Sequence, residues 1–181
     1  SDIVIANTTA AVTLDSNVLN IGANDLTINT NAVLSLAGTG ITATGTFSNN
    51  GTVRLIGSES INLTQDINSG TWEYVGDGDS AADTFTIKDF GTTDYFNLVI
   101  ANTDTADVSQ KTVSDLSVAG ALTVSSGTID FATQTASVAG TTTISGGTLL
   151  AGTAASTFTG AVSISGGTFT GSSGTADMLS N

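Results

Sequence analysis

One phrase of about twenty residues is written three times in succession between residues 117 and 170. Gly120, Gly140 and Gly160 are twenty apart, as are Gly127, Gly147 and Gly167, the hydroxyls Ser125, Ser145 and Ser165, and the apolar Val124, Ile144 and Ile164. A constant short period leaves few folds open, because each copy must be one structural turn that buries its apolar side by stacking on the next. No copy can fold alone. About four or five inward side chains, worth roughly 1.5–3 kcal/mol each, do not offset roughly 1–2 kcal/mol of backbone entropy for each of about twenty residues.

Within each copy the pattern is that of strands. Leu122-Thr-Val124, Ile129-Asp-Phe131, Val162-Ser-Ile164 and Trp72-Glu-Tyr74 alternate apolar with polar residues, which sends successive side chains to opposite faces. Short runs closed by Gly, Asn or Ser predict about three strands per coil. A helical period is missing, and Thr and Gly are poor in helix interiors. A sandwich could also carry many short strands but has no reason to repeat at twenty. Disorder is disfavoured by the positive mean hydropathy and by apolar residues that fall in register. The fold expected for residues 1–181 is therefore all-β: a single continuous parallel β-solenoid (β-helix) with coils of about twenty residues. Val33, Val53 and Trp72, then Ile129, Leu149 and Phe169, are expected to stack as core columns. Gly51, Gly70, Gly127, Gly147 and Gly167, with Asn31 in the first such place, are expected at left-handed or tight corners.

A longer echo overlies the short one. Ile3-Val-Ile-Ala-Asn-Thr8 returns as Leu98-Val-Ile-Ala-Asn-Thr103, and offsets of 95 to 97 carry Gly51 onto Gly147 and Trp72 onto Phe169. Read this way, the chain holds a unit at 3–97 and a second at 98–181 that lacks a counterpart of 76–97. The reading predicts a longer repetitive parent or a subunit contact at that point.

Charge narrows the partners. The net charge is −13, and Arg54, Lys88 and Lys111 are the three basic residues, so nucleic acid and anionic lipid are not expected. Cysteine, histidine and proline are absent, which removes disulfides, thiolate nucleophiles and Cys- or His-ligated zinc. No apolar run approaches the roughly twenty residues of a membrane-spanning helix.

Four features could carry chemistry. Asp77, Asp79 and Asp83 lie in a Gly- and Asp-rich loop whose alternating carboxylates could curl around Ca2+, although neither an EF-hand nor a Gly-Gly-x-Gly-x-Asp repeat is present; a solvated acidic turn is the plainer reading, and no other cofactor is expected. Asp66, Glu73, Asp89 and Asp94 could supply acid–base pairs, but they follow no catalytic motif, and an enzyme is not expected. Thr52, Thr71, Thr128, Thr148 and Thr168 follow the corner residues and invite an ice-binding reading, whereas Thr also simply favours exposed strand faces. Trp72, Tyr74 and Tyr95 are the rings that could stack on a glycan if they are exposed.

Leu122-Thr-Val-Ser-Ser-Gly-Thr128, Thr142-Thr-Ile-Ser-Gly-Gly-Thr148, Phe47-Ser-Asn-Asn-Gly-Thr52 and Phe96-Asn-Leu-Val-Ile100 carry a resemblance to β-solenoid regions of bacterial surface and secreted proteins, the autotransporter passengers and filamentous-haemagglutinin-like adhesin shafts. The resemblance covers nearly the whole length and is compositional. It implies a right-handed parallel β-helix, outside the cell or on its surface. The expected function is a structural rod or filament module that self-associates head-to-tail or laterally; the alternative is an adhesin that binds glycans or a cell surface.

Overall fold

The computed structural model describes residues 1–111, 113–174 and 176–178. Among them there is no helix, and the strands pair in parallel as a β-solenoid of about eight turns. Among the described residues no helix is long and apolar enough to cross a membrane.

One sheet runs through every turn. Its eight strands are Val12–Thr13, Val33–Ser35, Thr52–Leu55, Thr71–Tyr74, Asn97–Ala101, Leu122–Ser126, Thr142–Ile144 and Val162–Ile164, stacked in chain order. Each turn adds flanking strands. Ile3–Ile5, Leu26–Ile28 and Phe47–Asn49 form one three-stranded face, and Leu19–Gly22, Ile41–Ala43 and Ile61–Asn62 form another. Past the middle, a four-stranded face begins at Leu116–Val118, and a five-stranded face runs from Thr84–Thr86 to Thr168–Thr170.

Register explains the columns. Leu34 lies beside Val53, then Trp72, Leu98 and Leu122 follow at the same height. Leu55, Tyr74, Ile100, Val124 and Ile144 make a second inward column on the same sheet. On the five-stranded face Ile129, Leu149 and Phe169 stack as expected. Val33 does not join its column: it pairs with Thr52 and is half-buried, while Leu34 takes the core place. Side chains alternate along a strand, so a one-residue slip exchanges the inner and outer sets.

The longer echo is a likeness of sequence and not of place. Ile3–Ile5 lies on a three-stranded face, whereas Leu98 and Ile100 lie in the long sheet. Gly51-Thr52-Val53 leads into the long sheet, but Gly147-Thr148-Leu149 leads into the five-stranded face. The post-corner threonines are thus divided between two faces, Thr52 and Thr71 on one and Thr128, Thr148 and Thr168 on another. They do not form the single flat column that the ice-binding reading requires.

The corner residues have two different reasons for being small. Asn31, Gly70 and Gly127 adopt left-handed φ values of 63°, 74° and 71°. Gly147 does not; a Cβ there would stand 2.6 Å from the Gly127 carbonyl oxygen and 2.7 Å from Val124 Cγ1 of the preceding coil. The backbones of successive coils approach too closely for a side chain at this point. Gly147→Val is expected to lose about 1–3 kcal/mol or more through overpacking, read as a lowered thermal midpoint; an unchanged midpoint would remove the close-contact explanation.

Candidate functional site

The regular coil is broken between the fourth and fifth strands of the long sheet. Thr71 pairs with Thr52 nineteen residues earlier, but with Asn97 twenty-six residues later. The lengthened connection, residues 75–96, leaves the long sheet after Tyr74, forms Thr84–Thr86, and returns through Tyr95.

The excursion is held by aromatic rings and a buried polar network. Trp72, Tyr74 and Tyr95 are 1%, 0% and 0% exposed, so the three rings that could have stacked on a glycan if exposed are core residues and present no stacking surface. Their alternation with polar neighbours fits an inward face as well as an outward one, and sequence alone does not distinguish the two. Trp72 packs on Phe90, Phe47 and Tyr95 with ring centroids 5.0, 6.1 and 6.3 Å apart. The Tyr74 and Tyr95 hydroxyls are 2.9 Å apart. Lys88 N–H donates to Tyr74 Oη at 2.8 Å, and Tyr95 Oη–H donates to the Lys88 carbonyl at 2.9 Å. Burial pushes both phenols above their ordinary range, so they remain neutral donors.

Beside them lies a buried ion pair. Lys111 and Asp94 are fully buried, with Nζ 3.2 Å from Asp94 Oδ2, 4.0 Å from Asp89 Oδ1 and 3.2 Å from the Lys88 carbonyl. Asp94 also accepts the amide protons of Phe90 and Ser117 at 2.9 and 3.0 Å. Burial raises its pKa, while the two amides and the ammonium group pull it down. Asp89, at the surface, is held low first by the Ser114 hydroxyl. Of the acids weighed for catalysis, Asp89 and Asp94 share Lys111, Glu73 pairs with Arg54 at 2.7 Å, and Asp66 caps the amides of Asn49 and Asn68. Sequence reading missed the Lys111 network. The available signal was that Lys88 and Lys111 lie about one coil apart, beside Asp89 and Asp94.

A groove of about 480 Å³ opens against this region, lined by Asn62, Thr64, Gln65, Asp89, Phe90 and Thr92 among others. Gln65 Nε2 donates to the Asp94 carbonyl at 3.0 Å, while its Oε1 is buried without a hydrogen-bond partner.

The acidic loop opens the excursion, ahead of Thr84–Thr86. Asp77, Asp79 and Asp83 bring carboxylate oxygens within 4.8 Å of one another. Positive φ at Gly76, Gly78 and Ser80, of 66°, 70° and 71°, curls the loop. Behind it, Asp107 is fully buried, and its pKa is raised by burial first and then by Asp104, Asp77 and Asp83. A carboxyl whose pKa is higher folded than unfolded contributes stability that is complete below the unfolded value, near 3.8, and is lost as pH rises through the folded value. Asp94 has the same sign and the exposed Asp89 the opposite one. In a chelating buffer Asp107→Asn, which removes the titration, is therefore expected to gain thermal midpoint over the parent at neutral pH, and the gain should shrink as the pH falls toward 3.8; a gain independent of pH would contradict the assignment.

Compared with family models, curated proteins and solved structures, the chain has no match.

Proposed function

We propose that the chain is a structural rod, a module of a bacterial surface or secreted repeat protein of the autotransporter or filamentous-haemagglutinin-like kind. The observation that carries this reading is the eight-stranded parallel sheet running unbroken through every turn, with inward columns of Leu, Val, Ile and aromatic side chains beneath it. Such an element extends along one axis and gains length coil by coil. Its function is to span distance at a cell surface. Unpaired strand edges recruit further strands, so head-to-tail stacking of copies extends the same reading.

Solution scattering and electron microscopy test it. Eight strands at about 4.8 Å give a rod about 38 Å long along its axis, and stacked copies would give fibres with that axial repeat. A near-spherical particle would defeat the rod reading, and monomers at every concentration would defeat the stacking.

The groove beside Gln65 favours a second reading, an adhesin that binds glycans. Asn62, Thr64, Asp89 and Thr92 line the groove with polar groups that could bond sugar hydroxyls, and Gln65 completes one wall. A glycan array distinguishes the two: saturable binding abolished by Gln65→Leu supports the adhesin, and an array without binders removes it.

A further inference from the structure

The acidic loop has a partner loop one coil later. Thr103 N–H and its hydroxyl both donate to the Val75 carbonyl, at 2.7 and 3.0 Å, and Val108 N–H donates to the Asp83 carbonyl at 2.8 Å. These bonds fasten 103–107 against 76–83 at both ends. They set Asp104 and Asp107 of the later coil against the loop in which Asp77, Asp79 and Asp83 hold oxygens within 4.8 Å of one another, with Asp107 bonded to the Asp83 amide.

The decisive residue is Asp107. It is fully buried; one oxygen accepts the Asp83 amide proton at 3.3 Å, and the other, Oδ2, has no partner. That free oxygen lies over the Cα of Gly76, where a methyl group would collide with it, so it is directed into the loop that leads to Asp77. Asp104 Oδ2 is also buried and unpartnered. No salt bridge reaches these carboxylates among the described residues: Arg54 pairs with Glu73, and Lys111 with Asp94 and Asp89. A buried carboxylate oxygen without a donor, among four further carboxyl groups and no paired cation, is an arrangement that an ion completes.

We propose that loops 76–83 and 103–107 form a calcium site shared by two successive coils, in which Asp77, Asp79 and Asp83 supply the clustered oxygens and the unpartnered oxygen of Asp107 closes onto the ion from the later coil, with Asp104 as supporting charge. The donors are all oxygen, which selects a hard cation. Several carboxylates on two loops suit the six to eight ligands and adaptable geometry of calcium better than the strict octahedron of magnesium, which keeps its water. The ion would act as a staple where two successive coils of the solenoid are longest, spaced 26 residues from Thr71 to Asn97 and 24 from Leu98 to Leu122. The rod reading does not depend on this site, and rod length measured by scattering is independent of it.

Calcium chloride titrated calorimetrically into the chelator-stripped 181-residue chain is expected to show one ion per chain. At about a hundredfold excess over Kd the thermal midpoint should rise by roughly 5–10 °C, with magnesium at least about tenfold weaker. Asp107→Asn, which keeps shape and removes charge, should weaken calcium by at least about tenfold. Asp79→Asn, at an exposed position, should do the same without disturbing the core, and Asp15→Asn should leave binding unchanged. No heat and no midpoint shift up to about 10 mM, above the range of extracellular calcium modules, would overturn the site. So would equal affinity in Asp79→Asn and the parent, or equal response to calcium and magnesium.

Discussion

Lys111→Met is expected to destabilise the chain by about 3–5 kcal/mol, because it leaves a carboxylate buried without its cation. Asp94 would keep the Phe90 and Ser117 amides but lose the ammonium group 3.2 Å away. The Lys88 carbonyl would keep Tyr95 and lose its second donor. For a chain of this size the change corresponds to a fall of roughly 6–20 °C in thermal midpoint. Equilibrium unfolding in urea measures it directly. Asp94→Asn in the Lys111→Met background should recover part of the loss, since the unpaired charge is then gone. A single variant within about 1 kcal/mol of the parent would mean that water reaches the pair and that it does not fasten the excursion.

Trp72→Ala is the second large effect, at about 3–5 kcal/mol. The indole is 1% exposed and touches Phe47 from the coil below as well as Phe90 and Tyr95 of the excursion above. Truncation opens a cavity between three segments that cannot all collapse into it. Trp72→Phe should cost much less, in part because Trp72 Nε1 is buried without a partner, and removing an unpaired donor offsets some lost contact. Near-equal losses in the two variants would point to the indole nitrogen, rather than ring volume, as the stabilising feature.

The solenoid was legible because its stacking rule is written in the spacing. Gly127, Gly147 and Gly167 fall at the same height in three coils, and so do Ile129, Leu149 and Phe169. Where coils lose the twenty-residue spacing, sequence offsets no longer report position. The offset of 95 to 97 tied Trp72 to Phe169, although Trp72 stacks beneath Leu98 in a different sheet. Similar strand phrases serve on every face, since each face asks only for an alternating apolar side chain. Burial of Tyr74 and Tyr95 was illegible for a related reason: their hydroxyls are satisfied by each other and by the Lys88 peptide, partners that no local pattern announces. Asp77, Asp79 and Asp83 stood out as neighbours in sequence. Asp104 and Asp107 did not, because they come against that loop only after another turn of the chain.

The even pairing of the later coils also bears on how such a chain can change length. Ala136 pairs with Ser156, Ser137 with Thr157, and Thr142 with Val162. Removing residues 137–156, or copying them in tandem, would therefore join each strand to a neighbour at the same height with its apolar side still inward. Adding or deleting a single residue inside a strand would turn the rest of that strand inside out, whereas corners absorb such changes, as the nineteen-residue spacings from Val33 to Thr52 and from Thr52 to Thr71 show. Inheritance acting on such a gene would meet a ruler marked in whole coils, on which duplication is structurally quiet and slippage by one codon inside a strand is not.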